Sequence, residues 1–133
     1  MQRDDKSKFL LFIEPTLEQK ASIPMDDEYI TLLRMAMNDA KLGASNYDEP
    51  GVPEPVFREG SRYKGVHTNC DGIQSSNYDL LLPNGMVTNS LCIHYMRFYR
   101  LAIPTSDWDK LTELQRYYGR ARDVQPDNLR RIN

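Results

Sequence analysis

The sequence predicts a small α+β domain of about three helices packed on a small, mainly antiparallel sheet of about three short strands. Helical periodicity in three segments predicts the helices, and short apolar runs bounded by turn residues predict the strands. The length of 133 residues fits one domain that buries enough surface to fold without disulfides. We therefore expect residues 1–133 to form a single domain.

The first predicted elements are a strand and a helix. The run FLLFI at residues 9–13 is continuously apolar and of strand length, and Pro15 stops it. A helix is predicted from about 26 to 42, because three acids stand in its first turn and Gly43 stands where a C-terminal cap belongs. Its apolar face consists of Tyr29, Ile30, Leu33, Ala36, Met37 and Ala40.

Residues 43–60 are rich in glycine, proline and acids. Pro50, Pro53 and Pro55 deny the backbone both a helix and a central strand. We expect an ordered loop or extended linker here, either a lid over a site or a passive excursion.

The second half of the chain predicts two more strands and two more helices. The strands lie around residues 63–68 and 78–82, and PNG at 83–85 is a turn signal. A helix follows that ends near Ala102, before Pro104, and Thr88, Asn89 or Ser90 could cap it. The last helix has Thr105 or Ser106 as its N-terminal cap and stops at Gly119, and residues 122–133 form a flexible basic tail.

Composition and charge indicate a folded cytoplasmic protein rather than a membrane or nucleic-acid-binding protein. The net charge of −2 is unlike the basic charge of most nucleic-acid binders, although the basic C-terminal tail could still attract an acidic partner. The apolar run at 9–13 is too short for a signal core or a membrane span. Two cysteines form at most one disulfide, so we expect reduced thiols in the cytoplasm.

Both histidines and both cysteines lie in two short stretches, HTNCDG at 67–72 and LCIHY at 91–95. Four such ligands would suit tetrahedral zinc. If the second stretch is helical, however, Cys92 and His94 point about 160 degrees apart and cannot bind one ion together. Cys92 then lies among apolar neighbours as a core residue, whereas His94 lies at the margin of the apolar face.

Two kinds of site remain open in the segment 67–94. Zinc is one expected cofactor, held by His67, Cys70 and His94 with Asp71 or water as the fourth ligand. The other is a cysteine-dependent hydrolase, in which Cys70 is the nucleophile and His67 or His94 is the base. Asp71 belongs to either set of candidates.

Short polar side chains crowd the same segment. Hydroxyl and amide groups near a helix start can hold an anion or a carboxylate, but capping and turn formation require the same residue types. The ligand-binding candidates are Ser75, Ser76, Asn77, Asn89 and Ser90.

The sequence favours a binding protein over an enzyme, because it lacks the GxxxxGK[ST], GxGxxG, HExxH and GxSxG motifs. The expected partner is a protein or a small polar ligand, and tyrosine is a frequent anchor of such interfaces. The tyrosines outside the predicted core faces are Tyr47, Tyr63, Tyr78 and Tyr117. The alternative is a zinc-binding or Cys–His-dependent hydrolase with its site in 67–94.

Overall fold

The computed structural model describes residues 8–45, 56–61 and 66–124, the last five for their backbone alone. This part of the chain is a small α+β domain, which confirms the predicted class. The helices are α1 (Glu28–Asn38), α2 (Cys92–Phe98) and α3 (Thr105–Val124), with short 3-10 helices at Leu17–Gln19 and Arg100–Ala102. The strands are β1 (Lys41–Ser45), β2 (Phe57–Glu59), β3 (Asp79–Leu81) and β4 (Val87–Asn89).

The four strands form one antiparallel sheet in the order β2-β1-β3-β4. Leu80 of β3 lies opposite Leu42 on one side and Thr88 on the other. The described part of the chain therefore holds one strand more than the sequence predicts. Only β3 matches a predicted strand, since β1 and β2 lie at the two ends of the predicted loop and β4 contains two of the predicted helix caps.

The apolar run at 9–13, which the sequence predicts to be a strand, forms only an isolated bridge to β4. Phe9 forms an isolated parallel bridge to Val87, and the Leu10 amide donates to the Val87 carbonyl at 2.7 Å. Leu11 then adopts a φ of 61°, an unfavourable value for a residue with a Cβ. Its amide donates to Asp107 Oδ1 of α3 at 3.1 Å, which compensates this conformation and turns the chain away from the sheet.

The predicted end of the first helix is wrong, and so are the predicted ends of the 43–60 loop. Helix α1 ends at Asn38, and residues 41–45 form β1. Gly43 is a sheet residue rather than a helix cap. A Cβ at this position would lie 2.1 Å from the Arg58 carbonyl oxygen and 2.6 Å from the Phe57 ring. Glycine therefore permits the close approach of β2 to β1, its neighbour in the sheet. Residues 46–55 of the predicted loop, with its three prolines, lie outside the described residues.

The predicted strand at 78–82 is confirmed as β3, whereas the one at 63–68 is not found among the residues described there. Residues 62–65 lie outside the description, and Thr68 forms only an isolated bridge to Gln74.

The following helix begins at Cys92, later than predicted, because Thr88 and Asn89 belong to β4 and pair with β3. This helix ends at Phe98, earlier than predicted, because Tyr99 has non-helical backbone angles, and a separate 3-10 helix follows to Ala102.

The last helix begins at Thr105, one of the two residues predicted to cap it, and does not stop at Gly119. A C-terminal cap needs glycine in the left-handed region, and the positive-φ glycines of the described chain are Gly60, Gly72 and Gly85. Residues 122–124 of the predicted tail continue α3. Residues 125–133 lie outside the described residues.

The core lies between the helices and the sheet, and its centre is apolar. Helix α1 packs against α2 and α3. Within 8–45, 56–61 and 66–124, no helix is long and apolar enough to cross a membrane. The fully buried side chains of the core include Leu10, Leu33, Ala36, Cys92, Met96, Tyr99, Leu111 and Leu114.

Candidate functional site

Residues 67–75 form a short hairpin with Asp71 at its tip. The Ser75 amide donates to the His67 carbonyl at 2.8 Å, and the Asn69 amide donates to the Ile73 carbonyl at 2.8 Å. Gly72 takes a φ of 89° in the turn, a conformation that glycine adopts at little cost. This turn presents the Asp71 side chain to α2 and to the segment that follows Pro15.

The Asp71 carboxylate accepts hydrogen bonds from three separate parts of the chain. Its Oδ2 receives His94 Nε2 at 2.7 Å and the Tyr99 hydroxyl at 3.1 Å, and it lies 3.1 Å from Lys20 Nζ. Its Oδ1 receives Asn69 Nδ2 at 2.8 Å and the Ile73 amide at 3.2 Å. These five side chains, Lys20, Asn69, Asp71, His94 and Tyr99, are called the Asp71 cluster below.

The electrostatics of the cluster keep Asp71 charged and Tyr99 neutral. Burial, which leaves the Asp71 side chain 6% exposed, raises the pKa of this carboxyl. Hydrogen bonds from His94 and Lys20 oppose burial and hold the pKa well below its usual range. Burial, together with the hydrogen bonds to Cys70 and Asp71, raises the pKa of Tyr99. The tyrosine therefore remains a proton donor at neutral pH.

His94 faces the loop that carries Asp71. Its ring packs against Phe98 with a centroid distance of 5.2 Å and against Tyr99 at 5.7 Å. Since Nε2 is engaged by Asp71, the pair has the form of a histidine oriented by a carboxylate. The structure thus brings together two of the candidate residues, Asp71 and His94.

The other two candidates, His67 and Cys70, have different neighbours. Cys70 is exposed, and among the described residues its sulfur contacts the Tyr99 hydroxyl at 3.5 Å rather than a histidine. The His67 ring lies edge-on to Phe12 with a centroid distance of 5.7 Å. A cysteine nucleophile requires a base within hydrogen-bond reach, and the contact described for the Cys70 sulfur is with a tyrosine hydroxyl. The hydrolase therefore stays a prediction from the sequence.

The zinc site likewise stays a prediction. Within the described ranges, no group of three or more His, Cys, Asp or Glu side chains is placed to hold a metal ion. Cys92 is a core residue rather than a zinc-ligand candidate. It is fully buried, and its sulfur lies 3.6 Å from Met37 Sδ. Burial raises the pKa of the Cys92 thiol to about 12, as expected for a core cysteine.

The short polar side chains of 75–90 mainly bond to the protein itself. Ser75 Oγ accepts from the His67 amide at 3.0 Å, and Ser90 Oγ accepts from the Ser76 amide at 2.8 Å. Asn89 Oδ1 accepts from the Leu91 amide at 2.8 Å, while Asn77 is exposed. The hydrogen bonds of Ser75, Ser90 and Asn89 are those expected for turn formation and capping. Ligand binding by these residues stays a prediction.

Sequence reasoning missed Lys20, Asn69 and Tyr99 as members of a polar cluster. Tyr99 lies on the predicted apolar face of α2, and only its hydroxyl reaches the cluster. Lys20 follows a 3-10 helix that opens with a Thr16–Gln19 capping box, a signal that marks the start of a helical turn but not the partner of the lysine. Asn69 Oδ1 is buried without a hydrogen-bond partner among the described residues. The ion pair between Lys20 and Asp71 cannot be predicted from the spacing of residues in the sequence, because the two residues lie in distant parts of the chain.

Backbone hydrogen bonds and ion pairs hold the segment 17–27 against α2 and the 3-10 helix that follows it. The Ala21 amide donates to the Phe98 carbonyl at 2.7 Å, and the Met25 amide donates to the Arg97 carbonyl at 3.0 Å. Arg97 Nε lies 2.9 Å from Asp26 Oδ1 and Arg100 Nη2 lies 2.6 Å from Asp27 Oδ1. The Asp71 cluster therefore belongs to a larger junction of three segments.

Each segment of this junction carries large apolar side chains in water. Leu101 is 86% exposed, Ile23 is 77% exposed and Leu17 is 59% exposed. Met25 and Ile73 are each about half exposed, and Ile73 lies near the tip of the 67–75 hairpin. These five side chains, Leu17, Ile23, Met25, Ile73 and Leu101, are called the aliphatic surface below.

Comparisons of the chain with protein-family models, with curated proteins and with solved structures give no match.

Proposed function

We propose that this protein binds another protein through the aliphatic surface. The observation that carries the proposal is the exposure of Leu101 and Ile23 on backbone that hydrogen bonds and ion pairs hold in place. Single exposed aliphatic residues are common on soluble proteins, whereas several of them on adjoining segments are typical of a binding surface. Burying a fully exposed aliphatic side chain of this size favours association by up to about 1.5–3 kcal/mol, before the entropic costs of binding are subtracted.

The order of the supporting backbone favours binding further. A partner that meets a flexible apolar segment must order it, and that ordering reduces the affinity. Here the Asp27–Arg100 pair and the bond from Met25 to Arg97 order the backbone before any partner arrives. The Asp71 cluster adds the hairpin tip, with Ile73, to the same junction. Binding thus needs little rearrangement of this surface.

The cluster supports a structural role for Asp71 better than a catalytic one. Both carboxylate oxygens are occupied by donors from the protein, so a substrate would have to displace at least one of them. We place the binding in the cytoplasm, which suits a chain with two free thiols, one of them exposed.

A random-peptide display library panned on the immobilised full chain tests the proposal. Enriched peptides are labelled, and their affinities are measured by fluorescence anisotropy for the wild type and for Ile23→Glu/Leu101→Glu. We expect affinity to fall at least about tenfold, because each substitution removes apolar contact and adds a charge to be desolvated. The matched control is Leu42→Glu, which changes a half-exposed leucine of β1 outside the aliphatic surface and should keep wild-type affinity.

Two results would overturn the proposal. One is that no peptide is enriched above the background of the library. The other is that enriched peptides bind Ile23→Glu/Leu101→Glu as tightly as the wild type. In that second case, an affinity lost in Asp71→Asn would place the peptide-binding site at the Asp71 cluster instead. Circular dichroism and urea unfolding establish that each variant is folded.

A further inference from the structure

The three segments that carry the aliphatic surface contain more acidic than basic side chains. Every base of the three segments 14–27, 66–76 and 92–102 has an acidic partner, in the pairs Lys20–Asp71, Arg97–Asp26 and Arg100–Asp27. Two acids remain in these segments, Glu14 and Glu18, and neither has an ion-pair partner among the described residues. The segments therefore carry a formal charge of −2 with histidine neutral, from five acids and three bases.

Both unpaired acids lie beside the exposed aliphatic residues. Glu18 follows Leu17 in a 3-10 helix that packs against the 3-10 helix carrying Leu101. Glu14 lies three residues before Leu17 in the same segment, separated from it by Pro15 and Thr16. Both carboxylates are on exposed residues. They supply negative charge next to the aliphatic side chains, where a bound partner would meet them.

We infer that the partner's docking segment is a basic peptide stretch with aliphatic anchors. This inference rests on the proposed function and specifies the partner's chemistry. The anchors cover Leu17, Ile23 and Leu101, while lysine or arginine side chains face Glu14 and Glu18. Opposite charge at the rim of an apolar contact increases the association rate and selects against acidic partners. An acidic or neutral apolar segment would leave both carboxylates unmatched.

Three labelled peptides of equal length test this inference against the full chain. One combines lysine with leucine, one glutamate with leucine and one lysine with serine. We expect the lysine–leucine peptide to bind at least about tenfold more tightly than either of the others, and its affinity to fall as salt rises from roughly 50 to 500 mM. Fluorescence anisotropy gives the affinity of each peptide.

Charge-neutral variants then assign the effect to the two carboxylates. Glu14→Gln/Glu18→Gln should weaken the lysine–leucine peptide by about two- to fivefold at low salt and reduce its salt dependence. Glu59→Gln/Glu113→Gln removes the same charge from β2 and α3 and should leave both quantities unchanged. Because all four residues are exposed, the variants should keep the wild-type fold, which urea unfolding checks.

The outcomes separate this inference from the proposed function. Equal affinity for the glutamate–leucine and lysine–leucine peptides would overturn the inference, as would an unchanged affinity in Glu14→Gln/Glu18→Gln. In either case, display peptides that still depend on Ile23 and Leu101 would leave the proposed function standing. Equal binding of the lysine–serine peptide would overturn the inference too, because charge alone would then account for binding. If no peptide depends on Leu101, the proposed function fails and the inference fails with it.

Discussion

Cys92 and Cys70 place the same side chain in two opposite environments. Cys92 lies in the apolar interior, where its contacts are Met37 and the packed faces of α1 and α2. Cys70 lies at a surface junction whose neighbours are a tyrosine hydroxyl and the hydrogen-bonded Asp71 carboxylate. The first region is held by buried apolar area and the second by a charged acceptor that joins three segments. The stability contributed by buried apolar area does not change with pH, whereas the stability contributed by a hydrogen-bonded carboxylate does.

The largest difference between the two regions should be in thiol reactivity. A disulfide reagent such as dithiobisnitrobenzoate should modify Cys70 in the folded protein, whereas Cys92 should react at least about a thousandfold more slowly. Reaction at Cys92 requires an opening that costs several kcal/mol, and burial raises its pKa to about 12. Absorbance at neutral pH gives the rates. Cys70→Ser should remove the fast phase, and two equally fast thiols would contradict the comparison.

Truncation of the apolar region should cause the largest loss of stability. Met96 is fully buried on α2, one helical turn after Cys92, so Met96→Ala should lower the free energy of unfolding by about 2–5 kcal/mol. Met35→Ala removes the same atoms from the exposed side of α1 and should change the free energy by less than about 0.5 kcal/mol. Urea unfolding measures both. Equal losses would mean that the α2 face contributes no special packing.

Neutralising Asp71 should destabilise the protein less than the loss of Met96. Asp71→Asn keeps the shape of the side chain but turns an amide toward donors that need an acceptor, at a cost of about 1–3 kcal/mol in urea unfolding. Asp26→Asn breaks an exposed pair with Arg97 and should leave the unfolding midpoint close to that of the wild type. A midpoint for Asp71→Asn equal to that of Asp26→Asn would show that the cluster contributes nothing to stability.

The smallest of these effects should be the pH dependence that Asp71 contributes, in addition to that of Asp26 and Asp27, whose pKa values are lowered by hydrogen bonds from Arg97 and Arg100. Because the folded pKa of Asp71 lies below its unfolded value of about 3.9, its contribution is complete above that value and is lost as the pH falls toward the folded pKa. The urea midpoint of the wild type should therefore fall more steeply below about pH 5 than that of Asp71→Asn. Unfolding series from pH 7 to pH 3 check this. Parallel curves for the two proteins would contradict it.

Local patterns predicted the class of the fold and most of its helices, but their boundaries needed the tertiary structure. The end of α1 was misplaced because Lys41 and Leu42 continue a helical pattern, yet their backbone pairs with Leu81 and Leu80. Gly43 was read as a cap for the same reason. Its actual role, to let β2 approach β1 closely as its neighbour in the sheet, depends on a strand that lies beyond residues 46–55. Strand pairing between distant residues cannot be read from either segment alone.

The candidate site was located by sequence and assembled only by the fold. Spacing on a helix placed Cys92 in the core and His94 at its margin, since both depend on a periodicity within one segment. That His94 meets Asp71, and that Lys20 and Tyr99 share the same carboxylate, followed from contacts across three segments. The sequence by itself determined which residues could be buried and which could bond. Only the tertiary structure decided their partners, because hydrogen bonds and ion pairs depend on distances that chain packing sets.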